Sequence, residues 1–230
     1  MHCFVLLGVS SNQLKLNRVA TKQCYLISEF RLNGLDEIFA YHRRQGLGNS
    51  VTSRDRIVGA IWVLVVVAAQ VRWMGRASTP LCVGLVIAYL LWASARWKND
   101  PAAVLPMYLL AIAVQCLHFA EEYVTGFQRQ FPKLIGYEWS DAQFVTFNVA
   151  WLALFVLAGL GVYRCVQLAY LVVLFLALAG GVGNGVGHLL LSATQGRYFP
   201  GAATAPLCLL VGIALLSRLF GEPRVRQERE

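Results

Sequence analysis

From position 57 to position 217 the chain carries only thirteen charged residues, whereas the first 56 positions carry twelve. Soluble domains average about 25% charged residues, and this chain holds 14% against 57% hydrophobic. An apolar stretch of that length does not bury itself in one water-soluble core. It reads as a polytopic membrane protein behind a polar N-terminal segment, which excludes most soluble enzymes.

The scarce charges and prolines cut the apolar region into pieces of bilayer length: 57–71, 77–95, 101–120, 142–163, 165–196 and 198–217. About 20 residues cross a bilayer at about 1.5 Å per residue. The first piece is short and extends through Trp73 if Arg72 snorkels. The fifth is too long for one crossing, so its glycine-dense end is expected to lead out of the membrane. Backbone groups in lipid must be paired within each segment. The expected fold is therefore an all-α, polytopic membrane helix bundle of about six transmembrane helices over 57–220, with a charged tail at 221–230. Four or five crossings with one re-entrant piece is the other solution. Residues 1–56 show no sustained period and no signal-peptide cleavage pattern; they are expected to be disordered or loosely attached, and no function is placed there.

The formal net charge is +8. Its placement points to lipid, since Arg43, Arg44, Arg54 and Arg56 precede the first piece and Arg218, Arg224, Arg226 and Arg229 follow the last. Basic flanks of this kind fit the positive-inside rule and anionic lipid. No basic run is interleaved with aromatics, so no nucleic-acid partner is expected. With both termini cytoplasmic, Arg96, Lys98 and Arg164 join these residues inside, and Arg72, Arg76, Arg129, Lys133 and Arg197 face the other side. That majority favours N-in and C-in, with the plasma membrane as the expected location. The six cysteines are scattered without a C-x-x-C and read as packing residues or free thiols.

A few polar groups do not fit this solvent. The third piece ends in Gln115-Cys116-Leu117-His118-Phe119-Ala120-Glu121-Glu122-Tyr123. On a helix His118 lies one turn from Glu121 and Glu122, with Gln115 one turn earlier. An imidazole and two carboxylates are costly at a membrane boundary unless paired, hydrated or metal-bound. They also form a partial ligand set for Zn, Fe or Mn. The plain alternative is that the glutamates mark the helix end in interfacial water.

The fifth piece reads Gly180-Gly181-Val182-Gly183-Asn184-Gly185-Val186-Gly187-His188. Asn184 and His188 share a stripe with Gly181 and Gly185, and small-x-x-x-small spacing lets helix backbones approach closely in lipid. At about 1.5 Å per residue His118 lies about 24 Å along its helix, Asn184 about 26 Å and His188 about 32 Å. The two sets thus sit near one surface, which the N-in topology makes the outer face. Arg197-Tyr198-Phe199-Pro200-Gly201 follows on that surface, either as a turn opening a helix or with Tyr198 or Arg197 as a donor over the site. Asn148, early in the fourth piece, is a further candidate for the same cluster.

His118-Phe119-Ala120-Glu121-Glu122, the downstream His188 and Tyr198-Phe199-Pro200-Gly201 resemble, in order, the three signatures of the HXXEE-domain family: H-x-x-E-E, a second histidine and Y-x-P-G. The resemblance covers about residues 101–205 and implies a multipass membrane protein. It brings no mechanism, because that family's function is uncharacterised.

Three functions fit these residues. The leading one is a membrane-embedded metal-dependent hydrolase or transferase on a lipid-like substrate, with His118, Glu122 and His188 as metal ligands. Glu121 would then be general base and Tyr198 would stabilise a developing anion, with Gln115, Asn148, Asn184, Arg197, Pro200 and Gly201 in support. The others are a proton- or cation-coupled transporter and a structural membrane partner with a polar knot. No G-x-G-x-x-G, P-loop, G-x-S-x-G or H-E-x-x-H is present, which argues against nucleotide-driven chemistry and serine hydrolysis.

Overall fold

Two helices open on capping boxes, at Thr52 and Ser140. In the computed structural model, which describes residues 51–94 and 101–221, α1 (Ser53–Met74) opens at Thr52. The Thr52 hydroxyl accepts from the Asp55 N–H while the Asp55 carboxylate accepts from the Thr52 N–H, a capping box that satisfies two otherwise orphaned donors. A 3-10 turn, Gly75–Ser78, then returns the chain into α2 (Thr79–Ser94). The two helices form a hairpin: Tyr89 Oη donates to the Arg56 carbonyl, and a methyl added at Gly59 would lie 2.7 Å from the Trp92 ring.

Next come α3 (Pro101–Thr125), a short α4 (Phe127–Leu134), α5 (Asp141–Tyr163), α6 (Gln167–Gln195) and α7 (Ala205–Phe220). Every regular element among the described residues is helical. Length and composition make Ser53–Ser94, Pro101–Thr125, Asp141–Tyr163 and Gln167–Gln195 fit to cross a membrane, with Ala205–Phe220 a shorter apolar helix. Since Ser53–Ser94 is the α1–α2 hairpin, six apolar helices stand where six were expected. Two of them, α2 and α7, have 16 residues. That is about 24 Å of rise against about 30 Å of hydrocarbon. Helix α4 was not anticipated.

The bundle is built around α6, whose residues 169–177 are all buried. Its middle, Leu176–Gly183, is wound as a wide π-helical segment. The helix runs through the glycine cluster to Gln195 instead of breaking there. Close packing explains why: a methyl at Gly181 would lie 2.5 Å from the Gly212 Cα, and one at Gly185 2.6 Å from the Leu209 Cβ. Backbone approach of α7 thus offsets the poor helix propensity of glycine.

Helix α3 shows the inside-out logic of a protein in lipid. Leu109, Leu110, Leu117 and Val124 are exposed, while Tyr108, Gln115, His118 and Glu122 are buried on one stripe. Two side chains tie the helices together, the Tyr108 hydroxyl donating to the Phe155 carbonyl at 2.8 Å and the Trp92 indole to the Gln167 carbonyl at 3.0 Å. Among the described residues Cys82, Cys116 and Cys208 are free thiols. Most of the 1–56 segment, residues 95–100 and most of the 221–230 tail, with Arg43, Arg44, Arg96, Lys98, Arg224, Arg226 and Arg229, lie outside the described residues.

Candidate metal centre

Three helices and one turn build the site. His118 and Glu122, four residues apart, stand on the buried face of α3, and His188 reaches them from α6. All three are almost fully buried, at 0%, 4% and 4% exposure. Glu122 Oε1 lies 3.5 Å from His118 Nε2 and 3.2 Å from His188 Nε2, and one ligand atom from each residue falls within 4.8 Å of the other two. Ligand atoms on a tetrahedral ion with bonds of about 2.0–2.2 Å stand about 3.4 Å apart. The group can hold a metal.

The protons on the two rings are fixed by what lies behind them. His188 Nδ1 is 2.5 Å from the Pro200 carbonyl, an acceptor only, so Nδ1 carries the proton. His118 Nδ1 is 2.7 Å from Thr204 Oγ1. The Thr204 hydroxyl donates its proton to Glu121, and so accepts from His118 Nδ1–H. In a neutral ring the other nitrogen then carries a lone pair. Both Nε2 atoms therefore face the Glu122 carboxylate, and His118 Nε2 is buried without any hydrogen-bond partner. A second ring nitrogen that donates to a carbonyl or hydroxyl is the usual support of a metal-ligating histidine.

The turn 198–204 shapes this arrangement. Gly201 has φ +90° and packs its Cα against both imidazoles; a methyl there would lie 2.5 Å from His188 Nδ1 and 3.0 Å from His118 Cε1. Phe199, 1% exposed, and Phe127 wall the His188 ring. The Phe199 N–H donates to the Ser192 hydroxyl, anchoring the turn to α6.

Glu121 faces a different set of partners. Its Oε1 accepts from the Tyr198 hydroxyl and the Ala203 N–H, and its Oε2 from the Thr204 N–H and hydroxyl. These N–H groups precede α7, so the carboxylate sits at the positive end of that helix dipole. Glu121 and Tyr198, expected as base and anion stabiliser, are thus committed to one another and to the turn. The route from Glu121 to the cluster runs through Thr204 to His118.

The expected supporting residues separate. Gln115, Asn148 and Asn184 line a cavity of about 220 Å³ that also touches Glu122 and His188. Pro200 and Gly201 hold the imidazoles from behind. Arg197 is not brought in: its guanidinium is exposed and donates to Gln195 Oε1. Asp141 accepts from Gln128 and pairs with Arg129 at 3.2 Å. Sequence reasoning missed Thr204 and the aromatic wall of Phe127 and Trp139. The signal at Thr204 was an N-cap residue before an apolar run, though that rule would have turned its hydroxyl onto its own helix.

A family model described as "protein of unknown function with HXXEE motif" matches residues 109–215, the stretch that holds all three signatures and every residue of the metal-competent group. No curated protein and no solved structure gave a match.

Proposed function

We propose that this HXXEE-type segment is a membrane-embedded metal-dependent enzyme, a hydrolase or transferase acting on a lipid-like substrate. One observation carries the reading: Glu122 Oε1 and the Nε2 atoms of His118 and His188 converge in a buried site while both Nδ1 atoms already have hydrogen-bond partners. A proton shared between His188 and Glu122 would leave His118 Nε2 bare, whereas one cation satisfies all three. Zn, Fe or Mn suits an imidazole and carboxylate set. The chemistry such an ion supplies is polarisation of a carbonyl or phosphoryl oxygen and acidification of water.

The chain's own residues have distinct parts. His118, Glu122 and His188 are the ligands. Thr204 and the Pro200 carbonyl orient the two rings and raise their basicity as donors. Glu121 is a positioning residue in this reading, acting on His118 through Thr204, because four donors occupy its oxygens. Tyr198 holds Glu121. The aromatic cavity excludes water and receives the apolar part of the substrate.

The proposed topology keeps both termini cytoplasmic, with anionic lipid at the basic flanks and the cluster at the outer face of the plasma membrane. Arg72, at the end of α1, lies on the same side of the bundle as the cluster, since a methyl at Gly75 would touch Tyr137 in the α4–α5 connection. Metal analysis of protein purified in detergent tests the reading. One transition-metal ion per chain is expected, and His118→Ala or His188→Ala should lower occupancy at least about tenfold. A metal-free wild type, with flux in proteoliposomes that depends on Glu122, would replace the enzyme by a proton-coupled carrier.

A further inference from the structure

The cavity beside the cluster has its own chemistry. Phe119 of α3, Phe131 of α4 and Phe147 and Trp151 of α5 are among its walls, so much of it is aromatic. Glu122 and His188 form part of its polar lining. Two further lining residues hold polar atoms that no partner satisfies: the Asn148 amide nitrogen, on a residue 6% exposed, and the Trp139 indole nitrogen. Both atoms are donors. Buried donors without acceptors are rare and costly in native proteins, and two in one cavity specify an acceptor atom on whatever fills it.

The charge around the cavity narrows the class. No Lys or Arg is among the described residues that line it, and the Glu122 carboxylate is. In the metal-free protein an anionic head would be placed against the Glu122 carboxylate with no basic side chain to compensate. A neutral oxygen meets a donor at no such cost. We infer that the cavity recognises a neutral ester or amide carbonyl carried on an apolar chain, with Asn148 and Trp139 as specificity-determining donors. This names the substrate class for the proposed function, and it rests on that reading only for what happens to the carbonyl after binding.

The test uses the full chain labelled with ¹⁵N-tryptophan in detergent micelles, before and after chelation, titrated with methyl decanoate, dodecane or decanoate. The Trp139 indole resonance is identified by its absence in Trp139→Phe. Methyl decanoate is expected to shift that resonance saturably, dodecane to leave it in place, and, after chelation, decanoate to bind more weakly than the ester. Asn148→Leu, which keeps the volume and removes the donor, should need about tenfold more ester, the worth of one hydrogen bond. Equal shifts by ester and dodecane, tighter binding of decanoate than of ester after chelation, or unchanged ester affinity in Asn148→Leu would overturn the inference. Should that variant not fold, the wild-type ester and dodecane comparison decides alone. Ester selectivity in a chain that holds no metal would sink the catalytic reading and leave this one standing; bound metal without ester selectivity would do the reverse.

Discussion

Glu121 and Glu122 are neighbours in sequence and occupy two different chemical worlds. On a helix they point about 100° apart. Glu121 turns to the 198–204 turn, where two N–H groups and two hydroxyls surround it. Glu122 turns inward, 4% exposed, to two imidazoles whose facing nitrogens carry no proton when the rings are neutral. A carboxylate among donors is content as an anion; one among lone pairs requires a cation. In the proposed function the pair is thus a structural anchor beside a metal ligand, joined through Thr204 and His118.

Gly201 is where the two halves touch, and the largest effect is expected there. Gly201→Ala should cost about 3 kcal/mol or more, from a left-handed φ and a methyl driven into both rings, and should displace the histidines. Unfolding in detergent together with metal occupancy reads both. A variant with wild-type stability and occupancy would show that the turn does not cradle the rings.

Thr204→Val keeps the shape of the side chain and cuts the link between Glu121 and His118. Outer-shell losses of this kind weaken metal binding about 10- to 100-fold. The expected result is that loss in a metal titration while the bundle stays folded. An unchanged affinity would separate the two glutamates altogether.

The smallest effect concerns Tyr198. Partial burial of the phenol, and then its bond to Glu121, hold its pKa above the ordinary value. A raised pKa in the folded state means the contribution is fully present below the usual tyrosine range and is lost as pH rises through the folded value. Tyr198 is 51% exposed, so the whole bond contributes less than about 1.5 kcal/mol. Wild type should exceed Tyr198→Phe in stability at neutral pH and converge with it in strong alkali. A gap that persists there would place the stabilisation outside the hydroxyl.

Much of this was legible in residue order. Spacing alone set His118 and Glu122 one turn apart, and the Gly181 and Gly185 stripe announced the close approach that α7 makes. Two things were not legible. Glu121 and Glu122 looked interchangeable, because their difference comes from Ala203 and Thr204, whose backbone N–H groups carry no mark in the sequence. Helix α4 and the π-helical segment were also hidden. Phe127–Leu134 is short and contains a proline, and five glycines within eight residues read as a break until the partner helix that fills their grooves is in place.

The most direct measurement compares the metal content of Glu121→Gln and Glu122→Gln purified side by side. The expected result is that Glu122→Gln loses the metal at least about tenfold. Glu121→Gln should retain most of it while losing about 1–3 kcal/mol of stability, since an amide cannot accept from four donors at once. Equal occupancy in the two variants, or loss confined to Glu121→Gln, would contradict the division between anchor and ligand.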